Sequence, residues 1–579
     1  MPARVERAWA ALRANDPGRL AFALRLTLAC CVTALIALWF AIPEPALTVY
    51  LVLFLNRPER TTSILLAAVM LGFVSLLIAL LFPLVGLLAD APFWRVLAMA
   101  ALSFGLVWLG SASRLRPFAS STALVTAYVL DLLGSLPAGE LATRGLLYAW
   151  LFVAVPAGVS VVVALALAPD PGRQAGALLA RALDAAADLL DLSGKARRGR
   201  VQTARRKLLL GMPGLLKASQ IERTLPPTHA DALRSATAMT MRILAAIDLI
   251  DRHPDAAARA ALAAAVAPTL RAMAAILEAG GYPVAITDPC WPVAIPDDLA
   301  RLIATLSDAL AGFATTPLPP AEASPRSHGV FATDAFTNPV HVRHAVKVTL
   351  AAMSCYVLYA LWDWPGIHTA MITCYIVALG TAAETVEKLS LRIVGCIAGA
   401  VLGLAAILFV LPSISAITGL LLVVAGGMLL ACWVAAGDAR ISYAGFQIGF
   451  AFLLCVLQGS APGFDLVVAR DRVIGVLLGT MVSYAVFTRI WPVPVSGAID
   501  PAIARLLALM RRSANASAGA RQALLTKAMA ASDELGHWLD LAAFEPVSLR
   551  PADDWIAARR RLLARVERME SPLLLDRPA

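Results

Sequence analysis

The stretch Leu457 to Thr480, LQGSAPGFDLVVARDRVIGVLLGT, places Asp465, Arg470, Asp471 and Arg472 between two runs that are otherwise almost wholly apolar. The surrounding chain is built for hydrocarbon. Of its 579 residues 59% are hydrophobic and 15% charged, with a mean hydropathy of +0.75, well above the apolar share of ordinary soluble domains. A helix needs about 20 mostly apolar residues to cross a hydrocarbon core, and runs of that size recur in two blocks, about Leu20 to Ala168 and about Ala345 to Trp491. The fold class is therefore an all-α polytopic membrane protein, and charges inside either block call for a reason.

The net charge of +10 does not point to nucleic acid. In a membrane protein a basic excess gathers in the cytoplasmic loops, so no nucleic-acid partner is expected. Seven of the eight cysteines lie inside apolar runs, without a Cys-x-x-Cys pair or metal spacing, so small buried thiols are expected and no metal site. Arg4, Arg7, Arg13 and Arg19 precede the first apolar run as they would in a signal peptide. Yet ALRLTLA at Ala23 to Ala29 recurs as AVKVTLA at Ala345 to Ala351, heading the second block where no cleaved signal belongs. The first run is read as a retained span.

That recurrence belongs to a wider repeat. At an offset of about 320 residues, Ala37-Leu-Trp matches Ala360-Leu-Trp, Pro43 falls on Pro365, and GSLP at Gly134 to Pro137 matches GSAP at Gly459 to Pro462. Arg181 and Arg505 take matching places in the polar helix after each block. Each block divides into six apolar segments. They fall near residues 20–41, 43–55, 61–82, 95–112, 118–136 and 145–168, and near 345–361, 365–380, 391–411, 417–436, 441–458 and 472–491. The expected architecture is about twelve transmembrane helices in two six-helix repeats, each followed by a cytoplasmic helical domain. The expected domains are 1–168, 169–338 with its linker Thr315 to Gly329, 339–492, and a helical tail over 493–579. In both blocks the second segment is shortest and opens on proline or glycine, the sequence pointer to broken helices at a transport site.

Lys and Arg in the short loops put both termini in the cytoplasm. Arg57, Arg60, Arg114 and Arg116 share the N-terminal side in the first half, as do Arg343, Lys347, Lys388, Arg392, Arg440 and Arg489 in the second. Arg470 and Arg472 break this pattern, because they fall on the outer face. A finer echo bears on them. Gly380 to Gly399 and Gly459 to Gly479 both run from a glycine, past an acidic residue, to Arg-x-x-Gly-x-x-x-Gly, with Gly-to-Arg spacings of 12 and 13. A three-span unit carrying this motif must insert upside down relative to its neighbour, so each half reads as a 3+3 inverted repeat. The blander reading of the glycines is a helix-packing face.

Ionisable residues inside the apolar layer are costly and are functional candidates. The cations are Arg25 and its repeat mate Lys347, with Lys388, Arg392 and Arg472; the titratable groups are Asp131, His368, Glu384, Asp438 and Asp465. Arg25, Lys347, His368, Thr369 and Gln447 make up the expected substrate site. Asp131, Glu384, Lys388, Arg392, Asp465, Arg470, Asp471 and Arg472 make up the expected gate and coupling groups, with the Glu384 to Arg392 and Asp465 to Arg472 linkers as inner and outer gates. Snorkelling explains Arg25 and Lys347 equally well, and a hydrogen-bonded structural role does the same for His368. The one Gly-Lys, at Gly194, lies in no phosphate-binding loop, and no catalytic elbow or ligand cluster is visible. An enzyme is not expected, nor any cofactor, and coupling to an ion gradient is.

Three stretches together carry a family resemblance: FTNPVHVRHAVKVTLA from Phe336, GTAAETVEKLSLRIVGCIAGAVLG from Gly380, and RISYAGFQIGFAFLLCVLQGSAPGFDLVVARDRVIGVLLG from Arg440. They resemble the fusaric acid resistance family of the aromatic acid exporter superfamily, strongly over Phe336 to Pro492 and mainly by layout before it. The resemblance implies an inner-membrane exporter of aromatic carboxylic acids in a Gram-negative bacterium, and the titratable residues make proton coupling the expectation. Its implied partners are the organic anion, membrane lipid, a periplasmic adaptor and an outer-membrane channel, with oligomeric state left open. Each half resembles, more distantly, the six-span subunit of dimeric plant anion channels. A passive anion channel and a non-transporting membrane scaffold remain the alternatives.

Overall fold

The computed structural model describes residues 12–13, 18–84, 91–113, 116–133, 140–191, 195–286, 288–291, 296–314, 331–332, 334–377, 381–459, 464–516, 518–546 and 548–575. Arg4, Arg7, Arg114, Gly134 to Pro137, Gly380, Pro462 and the Thr315 to Gly329 linker lie outside them. Twenty helices follow in chain order. The first block holds α1 (Arg19–Trp39), α2 (Pro45–Leu55), α3 (Arg60–Leu81), α4 (Pro92–Ala112), α5 (Arg116–Leu133) and α6 (Glu140–Leu167). Then come α7 (Pro171–Asp191), α8 (Lys195–Glu222), α9 (Pro227–Asp251), α10 (Ala256–Glu278) and α11 (Asp297–Ala314). The second block holds α12 (Pro339–Leu361), α13 (Thr369–Val377), α14 (Ala382–Ala405), α15 (Ile417–Ala435), α16 (Ala439–Val456) and α17 (Leu466–Arg489), and α18 (Ser496–Ala514), α19 (Ala518–Leu541) and α20 (Asp553–Leu575) close the chain. Among the described residues no strand forms beyond one isolated bridge between Ser113 and Phe331.

Two compact units result, one of residues 1–168, 327–494 and 544–549, the other of residues 169–326, 495–543 and 550–579. Eight helices are long and apolar enough to cross a membrane, and all but Ala256–Glu278 belong to the first unit. The chain is a polytopic membrane protein. In the second unit, α10 buries Leu262, Val266, Leu270, Met273 and Leu277 in a core shared with Leu179, Leu183, Leu244 and Ile247 of α7 and α9.

Within the first unit the two blocks interlock reciprocally. α1 packs on α15 and α4 on α12, so the first helix of each block meets the fourth of the other. Likewise α2 packs on α16 and α13 on α5, pairing second helices with fifth. The junction between first and second helices is the same in both blocks. Phe40, Ala41 and Ile42 donate backbone N–H groups to the carbonyls of Ile36, Leu38 and Ala37 at 3.0, 3.3 and 2.9 Å; Trp362, Asp363 and Trp364 donate to Leu358, Ala360 and Tyr359 at 3.1, 3.3 and 2.9 Å. This is the bond pattern of a Schellman cap, and its left-handed residue is Ala41 (φ 49°) in one copy and Asp363 (φ 50°) in the other. Neither is glycine, so each copy bears a strain of about 1 kcal/mol.

The helices that follow these caps are short for identifiable reasons. Pro45 opens α2, with Glu44 before it at φ 53°, and Asn56 closes it in an extended conformation. A 3-10 turn over Pro365–Ile367 precedes the nine residues of α13. The charged stretches after α13 and α16 are expected as linkers, and here the structure differs. Thr381 caps α14 and Asp465 caps α17, so Lys388 and Arg392 stand on α14 and Arg470 to Arg472 stand in the first turns of α17. A side-chain cap satisfies the orphan N–H groups of a first turn, which lets helix begin several residues before the apolar run does.

Glycines set the closest approaches. A Cβ on Gly395 or Gly399 of α14 would strike the Ala444 or Ile448 carbonyl of α16, and one on Gly479 of α17 would strike the Ala370 carbonyl of α13. Both Gly-x-x-x-Gly copies thus serve as packing faces.

Candidate functional site

Two of the polar clusters in the first unit share the short helices α2 and α13, which contribute to both. The outer cluster centres on Arg472. Its guanidinium donates through Nη2 to the Glu44 carboxylate at 3.2 and 3.4 Å, and through Nη1 to Nε2 of His368. His368 Nδ1 lies 2.9 Å from the Pro365 carbonyl. A carbonyl only accepts and a guanidinium only donates, so these two contacts together suit the tautomer with the proton on Nδ1 and Nε2 as acceptor. The Tyr128 ring lies 5.6 Å from that of His368, and Thr369 Oγ1 donates to the Arg472 carbonyl at 3.3 Å. One guanidinium thereby ties α17 to the mouths of both short helices.

The inner cluster centres on Arg392, which is fully buried. Its Nη1 donates to Gln447 Oε1 at 2.8 Å and Tyr443 Oη at 3.3 Å, and its Nη2 to Thr373 Oγ1 at 2.9 Å. Gln447 in turn donates to Tyr50 Oη of α2 at 3.0 Å. Phe450 lies beneath the guanidinium, 6.0 Å from ring centroid to Cζ. All these partners are neutral, and the titratable groups facing Arg392 are Tyr443, Tyr50 and Cys396. Among the described residues no carboxylate compensates this charge, and its Nε is buried without a partner. A buried ion without an opposite charge beside it is expensive even after relaxation.

A narrow cleft lies between the two clusters, bounded by Gln447 and Phe450 on α16, Cys396 on α14, and Ala469, Arg472 and Val476 on α17. Its walls are apolar with an aromatic face, and its ends carry Arg472 and the Arg392 partner Gln447. Its free volume is about 10 Å³, the room of one water.

The remaining expected residues separate. Lys388 donates to the Ile376 carbonyl at 2.7 Å, at the C-terminal end of α13, and lies 5.0 Å over the Tyr443 ring. It thus adjoins the inner cluster, and a cation at a helix C-terminus is favourable. Glu384 closes a capping box: its carboxylate accepts from Thr381 N at 2.9 Å, while Thr381 Oγ1 accepts from Glu384 N at 3.2 Å. Asp465 accepts from Val467 N at 2.7 Å and Asp438 from Arg440 N at 2.9 Å, both as helix caps. Asp471 is buried, accepting from Trp364 Nε1 at 2.8 Å and from Arg470 at 2.9 Å, and so pins the break before α13. Asp131 faces Tyr359 and Arg95. Arg25 donates to the Arg57 and Pro58 carbonyls at 2.6 and 3.1 Å, which close α2. Lys347 reaches the Trp491 carbonyl at 3.4 Å and the Phe487 ring at 4.9 Å. Arg25 and Lys347 are buried rather than snorkelling, and neither joins the two clusters.

Sequence reasoning missed Glu44, Tyr50, Thr373 and Tyr443. Glu44 stands between two prolines in IPEP, where it reads as turn punctuation. The tyrosines and threonine offer a different signal, since a hydroxyl inside an apolar helix needs a partner. Among the described residues no group of three His, Cys, Asp or Glu side chains is placed to hold a metal ion.

Comparison with known proteins converges on the same part of the chain. A segment of 198 residues is 39% identical to the multidrug resistance protein MdtO of Escherichia coli K12, covering 34% of this chain and 28% of that protein. A segment of 180 residues is 40% identical to its namesakes in Shigella flexneri and Escherichia coli O157:H7, covering 31% of this chain and 26% of each. The similarity thus spans under a third of the relatives' own length. No solved structure matches. Residues 353–486, which include α13, α14, α16 and nearly all of α17, match the fusaric acid resistance protein-like family, and it is in that family's segment that Arg392 and Arg472 lie.

Proposed function

We propose that this protein is an inner-membrane efflux permease for organic anions, with aromatic carboxylates or related toxic compounds as substrates. The observation that carries this reading is Arg392, a guanidinium sealed in the first unit with only neutral partners. Burying such a charge is tolerable if an anion passes through to offset it. Lys388, Arg392 and Arg472 then form an ascending series of cations, along which a carboxylate exchanges one partner for the next.

The outer cluster supplies the gate. Glu44 and Nε2 of His368 both accept from Arg472. A proton on His368 Nε2 removes an acceptor from the guanidinium and a proton on Glu44 removes the charge that holds it, so either frees Arg472 to take the anion. When the proton leaves, the clasp closes again. Anion passage is coupled in this way to the proton gradient, with Glu44 and His368 as the coupling groups and Asp131, beside Tyr359, as a relay. Arg25 and Lys347 act at the cytoplasmic end, the first by holding the α2 terminus.

The reciprocal packing of α1 on α15, α4 on α12, α2 on α16 and α13 on α5, with the matched caps at Ala41 and Asp363, supports two six-helix repeats related by a pseudo-two-fold along the membrane normal. Alternating access then works through relative movement of the short helices that Arg472 bridges. In a Gram-negative cell such a permease would deliver its substrate to a periplasmic adaptor and an outer-membrane channel.

A passive anion channel is the second reading, favoured by the excess of cations over carboxylates in the two clusters. Purified protein in proteoliposomes separates them. Uptake of radiolabelled benzoate driven by an imposed pH gradient supports the exporter, whereas benzoate current that needs no gradient supports the channel. An Arg392→Met protein that transports normally would refute both.

A further inference from the structure

A separate cavity of about 280 Å³ opens at the other end of the first unit, and neither cluster reaches it. One face of α12 lines it, through Arg343, His344 and Lys347; Ser111 of α4 closes one side, and the segment Trp491 to Val493 forms the other. Lys347 is 2% exposed; it reaches the Trp491 carbonyl at 3.4 Å, long for a charged donor, and lies over the Phe487 ring. Arg343 is exposed, lies 6.0 Å over the Trp491 ring, and makes no ion pair among the described residues. These two cations stand four residues apart on one helix, where like charges repel, and Arg343 is the charged group that Lys347 faces. Trp491 itself has φ 44°, an outlier for a bulky side chain, and that backbone turns its carbonyl to Lys347 and its ring to Arg343. The cavity is roomy, walled on one side by an indole, floored by a buried ammonium, and lined by no carboxylate among the described residues.

We propose that this cavity is an anion-binding site taking one carboxylate or phosphate group between Lys347 and Arg343, with Ser111 as a further donor and the Trp491 ring against the apolar part. The proposal goes beyond the transport reading and does not depend on it, since it concerns equilibrium binding remote from Arg392. Basic pockets between membrane helices take lipid phosphates, and a soluble organic acid presents the same chemistry. Val493 ties the site to α14, because its carbonyl accepts from Ala382 N at 3.2 Å. Occupancy therefore bears on the start of the helix that carries Arg392.

The test uses the full chain in phosphatidylcholine nanodiscs, with 4-bromobenzoate as a heavy-atom quencher of tryptophan. Wild type minus Trp491→Phe isolates the signal of this site. Saturable difference quenching is expected, weakened at least about tenfold in Lys347→Met and in Arg343→Gln, as loss of a charged partner predicts. Arg343 is exposed, so its variant keeps the test valid if the buried Lys347 variant fails to fold. Two arms identify the source. If replacing part of the lipid with phosphatidylglycerol abolishes quenching while inorganic phosphate does not, the occupant is a lipid headgroup. If phosphate competes and phosphatidylglycerol has no effect, it is a soluble acid. Absence of saturable difference quenching, or quenching that survives both charge substitutions, overturns the proposal.

Discussion

Arg472 and Glu44 are 428 residues apart in sequence and 3.2 Å apart in space. Their pairing joins the last residue of the turn before α2 to the first turns of α17, and His368 completes it from the turn before α13. The N-terminal ends of both short helices are thus held by one side chain that is 12% exposed. On the mechanism proposed above, its release is the event on which gating turns.

Glu44→Gln keeps the shape of the acceptor and removes its charge and its proton affinity. If Glu44 couples proton to anion, the variant transports benzoate at a rate that no longer responds to an imposed pH gradient. Flux measured at two external pH values checks this, and an undiminished response would take Glu44 out of the coupling.

Arg392→Met removes the sealed guanidinium while keeping an unbranched, apolar volume. Flux is expected to fall at least about tenfold, a barrier rise of about 1.4 kcal/mol. The fold is expected to survive, because the partners left behind are neutral hydroxyls and an amide, each costing about 1–3 kcal/mol when unmet. Proteoliposome uptake and thermal unfolding on the same preparation separate the two effects.

Asp465→Ala and Glu384→Ala distinguish a cap from a gate. Loss of a helix N-cap or of the carboxylate in a capping box costs about 1 kcal/mol, so each variant should unfold at a lower temperature while keeping the KM and maximal flux of the wild type. A change in KM with unaltered stability would return these carboxylates to the gate.

Gly399→Ala places a methyl against the Ile448 carbonyl, a backbone atom that has no rotamer to escape into. Overpacking of this kind costs about 1–3 kcal/mol. Val394→Ala, on an exposed position of the same helix, is the control. Thermal unfolding in detergent should fall for the first and hold for the second.

Composition and periodicity alone determined that this chain is a helical membrane protein with two apolar blocks, because the thickness of a hydrocarbon core dictates how long an uncharged run must be. The shortness of the second segment in each block was also legible, since Pro45, Pro365 and Gly366 interrupt helix locally. So was the cost of Arg392 and Arg472, which are conspicuous wherever they stand because a charge inside an apolar run is costly. Their partners were not legible. Glu44, Tyr50 and Thr373 are unremarkable in their own neighbourhoods and acquire meaning only because α2 and α13, from different blocks, present them to α14, α16 and α17. Glu384 and Asp465 show the reverse, standing out in sequence yet serving as caps, since a carboxylate ahead of an apolar run looks the same whether it faces a channel or its own backbone. Hydropathy is a property of a residue and its near neighbours, so the sequence could declare which charges were costly. Compensation is a property of contacts between distant segments, and only the tertiary packing decided that Arg472 is paired and Arg392 is not.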